Sequence, residues 1–184
     1  MAVPRPQGSL DPMSVTESLQ VIDAWLLEHG VGERERPAPV SPDVLGRLAD
    51  VGTENAVPEL IEFYGHQNGL PHWFVLYGTW QFLTLEEALE QTETLVRSSA
   101  HLSASDRWKL EWLLLLTNNG GDYCFQDLRH RGIEFYSHID GECLPIAQSL
   151  GEFFERLVRD IQEGRYVFEE GEPAYRGTRT LGHG

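Results

Sequence analysis

The residues whose types and spacing could do chemistry are carboxylates and histidines close to predicted turns. Asp122 with Asp127, and Asp140 with Glu142, are pairs of the kind that can act as general acid and general base. The competing account is local: aspartate is common in turns because its side chain accepts hydrogen bonds from nearby backbone amides. No neighbouring base and no recognised cleft motif accompanies either pair. Among the seven histidines, His66 with His72 and His130 with His138 are the pairs that come closest to a metal-ligand pattern, but HExxH spacing and a facial set with a carboxylate are both missing. Cys124 and Cys143 form neither CxxC nor a zinc spacing and read as reduced thiols. There is no G-x-S-x-G, no GxGxxG and no phosphate loop, since Gly120-Gly121 follows Asn118-Asn119 and reads as a turn. Hydrolase, dehydrogenase and nucleotide-binding classes therefore lack their signatures, and no catalytic residue, cofactor or metal is assigned.

Binding is the chemistry the composition favours. Fourteen Lys and Arg against 29 Asp and Glu give a net charge of -15, which repels nucleic acid and anionic membrane surfaces and suits a basic protein partner. Glu86, Glu90 and Glu93 recur at i, i+4 and i+7 of a predicted helix, with Glu87 beside them. Like charges so placed cost about 0.2–0.5 kcal/mol per pair. A plain solvated face tolerates that, and first-turn glutamates are favoured by the helix dipole. Asp122, Asp140 and Glu142 stand at predicted hairpin ends. Trp25, Trp108 and Trp112 are in phase with apolar neighbours and read as core, whereas Trp73, Trp80 and Tyr136 lie near turns or strand ends and are the candidate aromatic anchors. These nine residues are the expected contact set for a basic partner.

A chain of 184 residues, 41% hydrophobic and 10% aromatic, is long enough for one domain with a substantial core. Ser14 and Glu17 form a capping box before an amphipathic helix that stops at Gly30. A polar, proline-rich connector follows, then a short helix after Ser41-Pro42 and another from Pro58 to Asn68-Gly69. From Trp73 the aromatic and β-branched content predicts a hairpin or bulged strand pair across Gly78. Thr84 and Glu87 cap a helix reaching about Arg97, and apolar residues alternate from Trp108 to Leu116, the later part reading as a strand. Turns at Asn118–Gly121, Arg129–Gly132 and Asp140-Gly141 then punctuate an antiparallel meander. Ser149 and Glu152 form a third capping box before a last helix ending at Gly164. The expected fold class is α+β, a single domain in which a largely antiparallel sheet of five or six strands packs against N-terminal helices and a C-terminal helix. Residues 1–13 read as a leader outside the fold, 14–166 as the domain, and 167–184, poor in apolar residues, as a mobile tail or loosely packed arm. The first residues lack a signal-peptide pattern and no apolar run approaches a membrane span, so the expected location is the cytoplasm.

Several segments, in order, resemble the SUKH superfamily, whose founding members are the fungal Smi/Knr cell-wall-assembly regulators. Pro58-Glu59-Leu60 with Phe63-Tyr64 and Asn68-Gly69 is similar to its "LP, helix, tyrosine, NG" element, with Val57 standing where a leucine is expected. Phe82-Leu83-Thr84-Leu85-Glu86-Glu87-Ala88 resembles its strand-to-helix entry. Gly121-Asp122-Tyr123-Cys124 to Asp127 and the strand to His138 resemble its central hairpin, and Ile146-Ala147-Gln148-Ser149-Leu150-Gly151-Glu152-Phe153-Phe154 its entry to the last helix. The resemblance implies an α+β domain without shared catalytic machinery. For the bacterial members it implies an immunity protein that neutralises a polymorphic toxin, a nuclease or deaminase among the possibilities, by stoichiometric non-covalent binding. On that reading the partner is a cognate toxin with a basic surface, not nucleic acid or membrane, and the chain itself is a monomer or weak homodimer. A regulatory scaffold of the fungal kind, and an enzyme using the hairpin carboxylates, are the alternatives. The family fixes no binding site that transfers residue by residue.

Overall fold

The computed structural model describes residues 13–32, 36–51, 53, 56–103, 107–118 and 120–181, with 49–51 as backbone only. The expected leader therefore lies outside the described residues as far as Pro12, and Met13 is half-buried against the core. Among the described residues five helices and seven strands follow in the order α1 (Val15–Glu28), α2 (Pro42–Val51), α3 (Pro58–His66), β1 (Gln81–Phe82), α4 (Leu85–Ser99), β2 (Trp112–Thr117), β3 (Tyr123–Asp127), β4 (Ile133–Tyr136), β5 (Cys143–Ala147), α5 (Leu150–Gln162), β6 (Tyr166–Glu169) and β7 (Glu172–Tyr175). β1 to β5 form one antiparallel sheet in sequence order, and β6 pairs with β7 in a second. The expected α+β meander is what the chain adopts.

Helix starts follow their caps. Ser14 and Glu17 satisfy each other's backbone amides at α1, and Thr84 and Glu87 do the same at α4. The third box is half made: Ser149 Oγ accepts from the Glu152 amide at 3.1 Å, but Glu152, held by Arg156, accepts from the Gln148 amide instead. α3 ends at His66 with Gln67 extended, so Gly69 is not its cap. Gly69 has φ +86°, and a Cβ there would lie 2.8 Å from the Leu83 carbonyl oxygen, so only glycine lets these two loops meet.

The sheet's inner face carries Cys124, Gln126, Ile133 and Phe135, all buried. Beside it Phe63, Phe82 and Phe154 stack within 4.6–5.8 Å of one another, joining α3, β1 and α5. On the outer face Trp108 lies edge-on against Trp112, Tyr123, Phe125 and Tyr136 at 5.3–5.6 Å. That lid explains why β2, WLLLLT, is buried on both faces. It also breaks the alternation expected from Trp108 onward: a turn in which the Trp112 amide bonds the Lys109 carbonyl precedes the strand, and Leu110 is 58% exposed.

Two further expectations change. The hairpin predicted across Gly78 is only a bridge between Leu76 and Trp80 plus the two residues of β1, because Tyr77 (φ +48°) and Gly78 (φ +86°) turn the chain at once. The segment read as a tail contains the hairpin β6–β7, closed by Glu170 and Gly171, both at positive φ as a type I′ turn requires. Its apolar content is low, but its contacts are not: Tyr166 and Tyr175 pack on Tyr77, Phe168 stacks on His29, and Leu181 is buried. Asp160 of α5, with no exposed surface, pairs with Arg165 and Arg179 and ties this arm down.

β1 is too short to cover β2. The bare edge is closed by α4, whose Thr92 Oγ1 accepts from the Leu114 amide at 3.0 Å and donates to the Trp112 carbonyl at 3.5 Å. Trp108 Nε1 donates to the same carbonyl at 3.0 Å. Thr92→Val keeps the shape but strands the Leu114 amide, so it is expected to cost about 1–3 kcal/mol in urea unfolding, while Thr92→Ser retains most of the stability.

Candidate functional site

Because β2 ends at Thr117 and β3 begins at Tyr123, while β4 ends at Tyr136 and β5 begins at Cys143, antiparallel pairing brings two turns to one end of the sheet. Asn118 Oδ1 accepts from the amides of Gly120 at 2.8 Å and Asp122 at 3.2 Å, and its Nδ2 donates to Asp122 Oδ2 at 3.0 Å. Asp122 Oδ1 in turn accepts from the His138 amide at 3.1 Å and lies 2.7 Å from His138 Nδ1, fastening the first turn to the second. Within the second turn Asp140 Oδ1 accepts from the Glu142 amide at 3.1 Å, and Gly141 donates to the Ser137 carbonyl at 2.9 Å. Burial pushes the Asp122 carboxyl up, but the bonds from His138 and Asn118 outweigh it and hold it below the usual aspartate range. The Glu142 amide and the Ser137 side chain lower Asp140 likewise. Three carboxylates thus gather around Ile139, which is 83% exposed. The sequence signal for Ile139 is a lone apolar residue inside the polar turn SHIDGE.

α4 presents a separate acidic surface along the β1 side of the sheet. Leu85, Ala88 and Thr92 face inward, which leaves Glu86, Glu90 and Glu93 exposed. Glu86 accepts from Asn68 Nδ2 at 2.7 Å and Glu93 stands 3.8 Å from Arg47. Between α2, α4 and the approach to β2 lies a groove of about 190 Å³, with Leu89, Leu113, Leu128 and Leu110 as apolar wall and Arg47 and Glu93 at its mouth. A shallower cleft of about 360 Å³ runs along β4 and β5 to the start of α5, past His130, Glu134 and Glu152.

The aromatic candidates divide. Tyr136 is half-buried beside Trp108 and Tyr123 on the outer face. Trp73 is half-buried and stacks on Phe74 at 6.4 Å. Trp80 is no surface anchor: it is 3% exposed and meets Phe135 edge-on at 5.9 Å, since the Leu76 bridge folds it under the sheet rather than outward. The paired-carboxylate idea also changes. Asp122 and Asp127 sit at opposite ends of β3, roughly 16 Å apart at strand rise. Asp127 is 2% exposed and serves as an acceptor for Trp112 Nε1 at 3.2 Å, the Arg129 amide at 2.9 Å and the Arg129 guanidinium. Among the described residues no group of three His, Cys, Asp or Glu could hold a metal ion, and no helix is long and apolar enough to cross a membrane.

A family model described as the SMI1 / KNR4 family (SUKH-1) matches residues 58–156, more than half of the chain. The chain belongs to that family. A comparison with curated proteins finds no match. The family's proteins are generally non-enzymatic immunity or regulatory proteins, and membership points to protein binding in general terms.

The motif residues inside the matched span hold joints of the fold. Glu59 pairs with Arg131 and accepts from the Gly151 amide at 3.1 Å at the start of α5. Asn68 Oδ1 accepts from the Leu85 amide at 2.7 Å at the start of α4. Tyr64 Oη donates to the Leu83 carbonyl at 3.4 Å, and burial pushes its hydroxyl far above the ordinary tyrosine range.

Asp127 gives a test of these charges. Burial raises its carboxyl, but the bonds and charge of Arg129 outweigh that and hold it below its ordinary value. The folded state then binds fewer protons than the unfolded chain near pH 4, so the carboxylate's contribution is complete above the unfolded value of about 3.9 and is lost as pH falls through the lowered folded value. Asp127→Asn is expected to cost about 1.5–3 kcal/mol at pH 7. Urea unfolding at pH 7, 5 and 3 is expected to show the two proteins converging at the acid end.

Proposed function

We propose that this chain is an immunity protein that binds a cognate toxin domain in the cytoplasm and blocks it by stoichiometric, non-covalent occupation, without performing a reaction. Family membership supports a protein-binding role, and the observation that carries the finer reading is the acidic end of the sheet. Asp122 and Asp140 accept hydrogen bonds from their own turns, which hold both carboxyls below the usual aspartate range, and Glu142 stands in the same turn as Asp140 and the projecting Ile139. A toxin that acts on nucleic acid needs a basic surface for its substrate, and carboxylates gathered at one end of the sheet are complementary to such a surface. With a net charge of -15, association with it would be steered, raising on-rates by about 10 to 1,000-fold at low salt. Tyr136, next to this end on the outer face, supplies an aromatic edge for the same contact.

The test pairs co-expression with calorimetry, using as toxin whichever toxin-like domain the neighbouring genes are found to encode. Growth rescue with one-to-one binding is the expected result. Replacing Asp140 and Glu142 by Asn and Gln is expected to slow association and weaken its salt dependence. Rescue without binding would sink the reading and turn attention to an enzymatic activity; binding of endogenous proteins alone would favour the scaffold.

A further inference from the structure

We propose that the groove between α2, α4 and the approach to β2 receives one leucine- or phenylalanine-sized side chain of a partner segment whose flanking lysines or arginines meet the glutamates of α4. This rests on the reading of the chain as a protein binder and names a second contact, away from the acidic end of the sheet.

The size of the groove selects the occupant. At about 190 Å³ it falls below the roughly 300–1,000 Å³ of a small-molecule site, yet it has room for an apolar side chain. Its floor is finished, because Leu113 and Leu128 are each 1% exposed, and its mouth is open, because Leu110 stands 58% exposed at the edge. An apolar socket with an exposed leucine at its lip is the form of a hot-spot pocket that a partner completes by excluding water.

Charge selects the flanks. On the α4 helix Leu89, Glu93, Glu86 and Glu90 succeed one another around the surface within about 100° at 3.6 residues per turn, so the glutamate stripe borders the socket directly. The cations facing it are Arg47, 3.8 Å from Glu93, and Arg97, which donates to Thr94 at 3.3 Å. Among the described residues Glu86 is engaged by the neutral Asn68 amide and takes no ion pair, and Glu90 takes none either. A second copy of this chain is a poor occupant, since two bodies of charge -15 repel.

The experiment uses the full chain with methyl-labelled leucines and two synthetic hexapeptides, Lys-Arg-Leu-Phe-Arg-Lys and its counterpart with serine at both apolar positions. Saturable methyl shifts at Leu89, Leu110 and Leu128 with the first peptide and not the second are expected. Equal shifts with both, shifts elsewhere, or none would overturn the socket. In parallel, the toxin-like domain is titrated against the wild type, Leu110→Ser, the pair Glu90→Lys with Glu93→Lys, and Leu27→Ser as a control at an exposed leucine of α1. Leu110→Ser is expected to weaken binding about tenfold or more, the charge reversal to slow association, and Leu27→Ser to change nothing. If the wild type binds the toxin and Leu110→Ser binds equally well, the socket is wrong while the immunity reading stands. If the toxin fails to bind but the peptide seats as described, the immunity reading falls and the socket stands.

Discussion

The closing of one strand edge organises the rest of the molecule. β2 is buried on both faces, and the two residues of β1 cover only its far end. A buried amide or carbonyl left without a partner costs about 1–3 kcal/mol, so Trp112 and Leu114 need something else at their outward edge. Thr92 and the Trp108 indole supply it from outside the sheet. With Thr92 fixed, the rotation of α4 is fixed as well: Leu85 and Ala88 turn inward with it, and Glu86, Glu90 and Glu93 have no direction left but outward. The acidic stripe is thus a consequence of how the sheet is finished.

The same logic explains what the family pattern encodes. Glu59 places a carboxylate at the amino end of α5, where the first amides lack helical partners and the helix dipole favours negative charge. A Cβ on Gly151 would lie 3.2 Å from Glu59 Oε1, so the glycine keeps that approach open. Asn68 and Gly69 do the equivalent at α4, one by bonding the Leu85 amide and the other by leaving room for the Leu83 carbonyl. These positions, all inside the matched residues 58–156, join elements distant in sequence. Asp140, Glu142, Glu90 and Glu93 take no part in those joints, so the framework leaves these positions to function rather than to fold.

Local chemistry was legible in the sequence wherever a signal and its target are close together. The boxes at Ser14 and Thr84, the turns at Asn118 and Asp140, and the glycine stop at Gly164 each act within a few residues and stand where the pattern puts them. What could not be read depends on distant partners. Trp80 looks exposed from its place beside a turn and is buried because Phe135 covers it. Leu110 looks inward by parity and is exposed because a turn at Lys109 resets the phase. The arm after Gly164 looks loose by apolar content, yet Asp160, Tyr77 and His29, all from earlier in the chain, hold it. Of the candidate contacts, the pattern could name the acidic residues but could not show that Asp122, Asp140 and Glu142 share one end, because that requires the register of three hairpins.

The distribution of cations gives the negative charge its meaning. Arg129 is engaged by Asp127 and Glu111, Arg131 by Glu59, Arg156 by Glu152, Arg176 by Glu169, and Arg165 and Arg179 by Asp160. These six arginines are thus engaged by the chain's own carboxylates, while among the described residues Glu90, Asp140 and Glu142 take no ion pair. Self-repulsion of this excess opposes compactness, and no packing interaction requires it at those three positions. Charges of this kind act at long range and chiefly set the rate of encounter, whereas burial of apolar surface sets how long a complex lasts. The molecule offers both, at two separate places: carboxylates beside Ile139 at one end of the sheet, and glutamates beside the leucine-lined groove on α4. An acidic surface alone would attract any basic protein, and an apolar socket alone would select by shape but slowly. On the proposed reading, an acidic stripe and a socket set side by side on α4 would give fast encounter with a basic partner and retention only of one that also fills the socket.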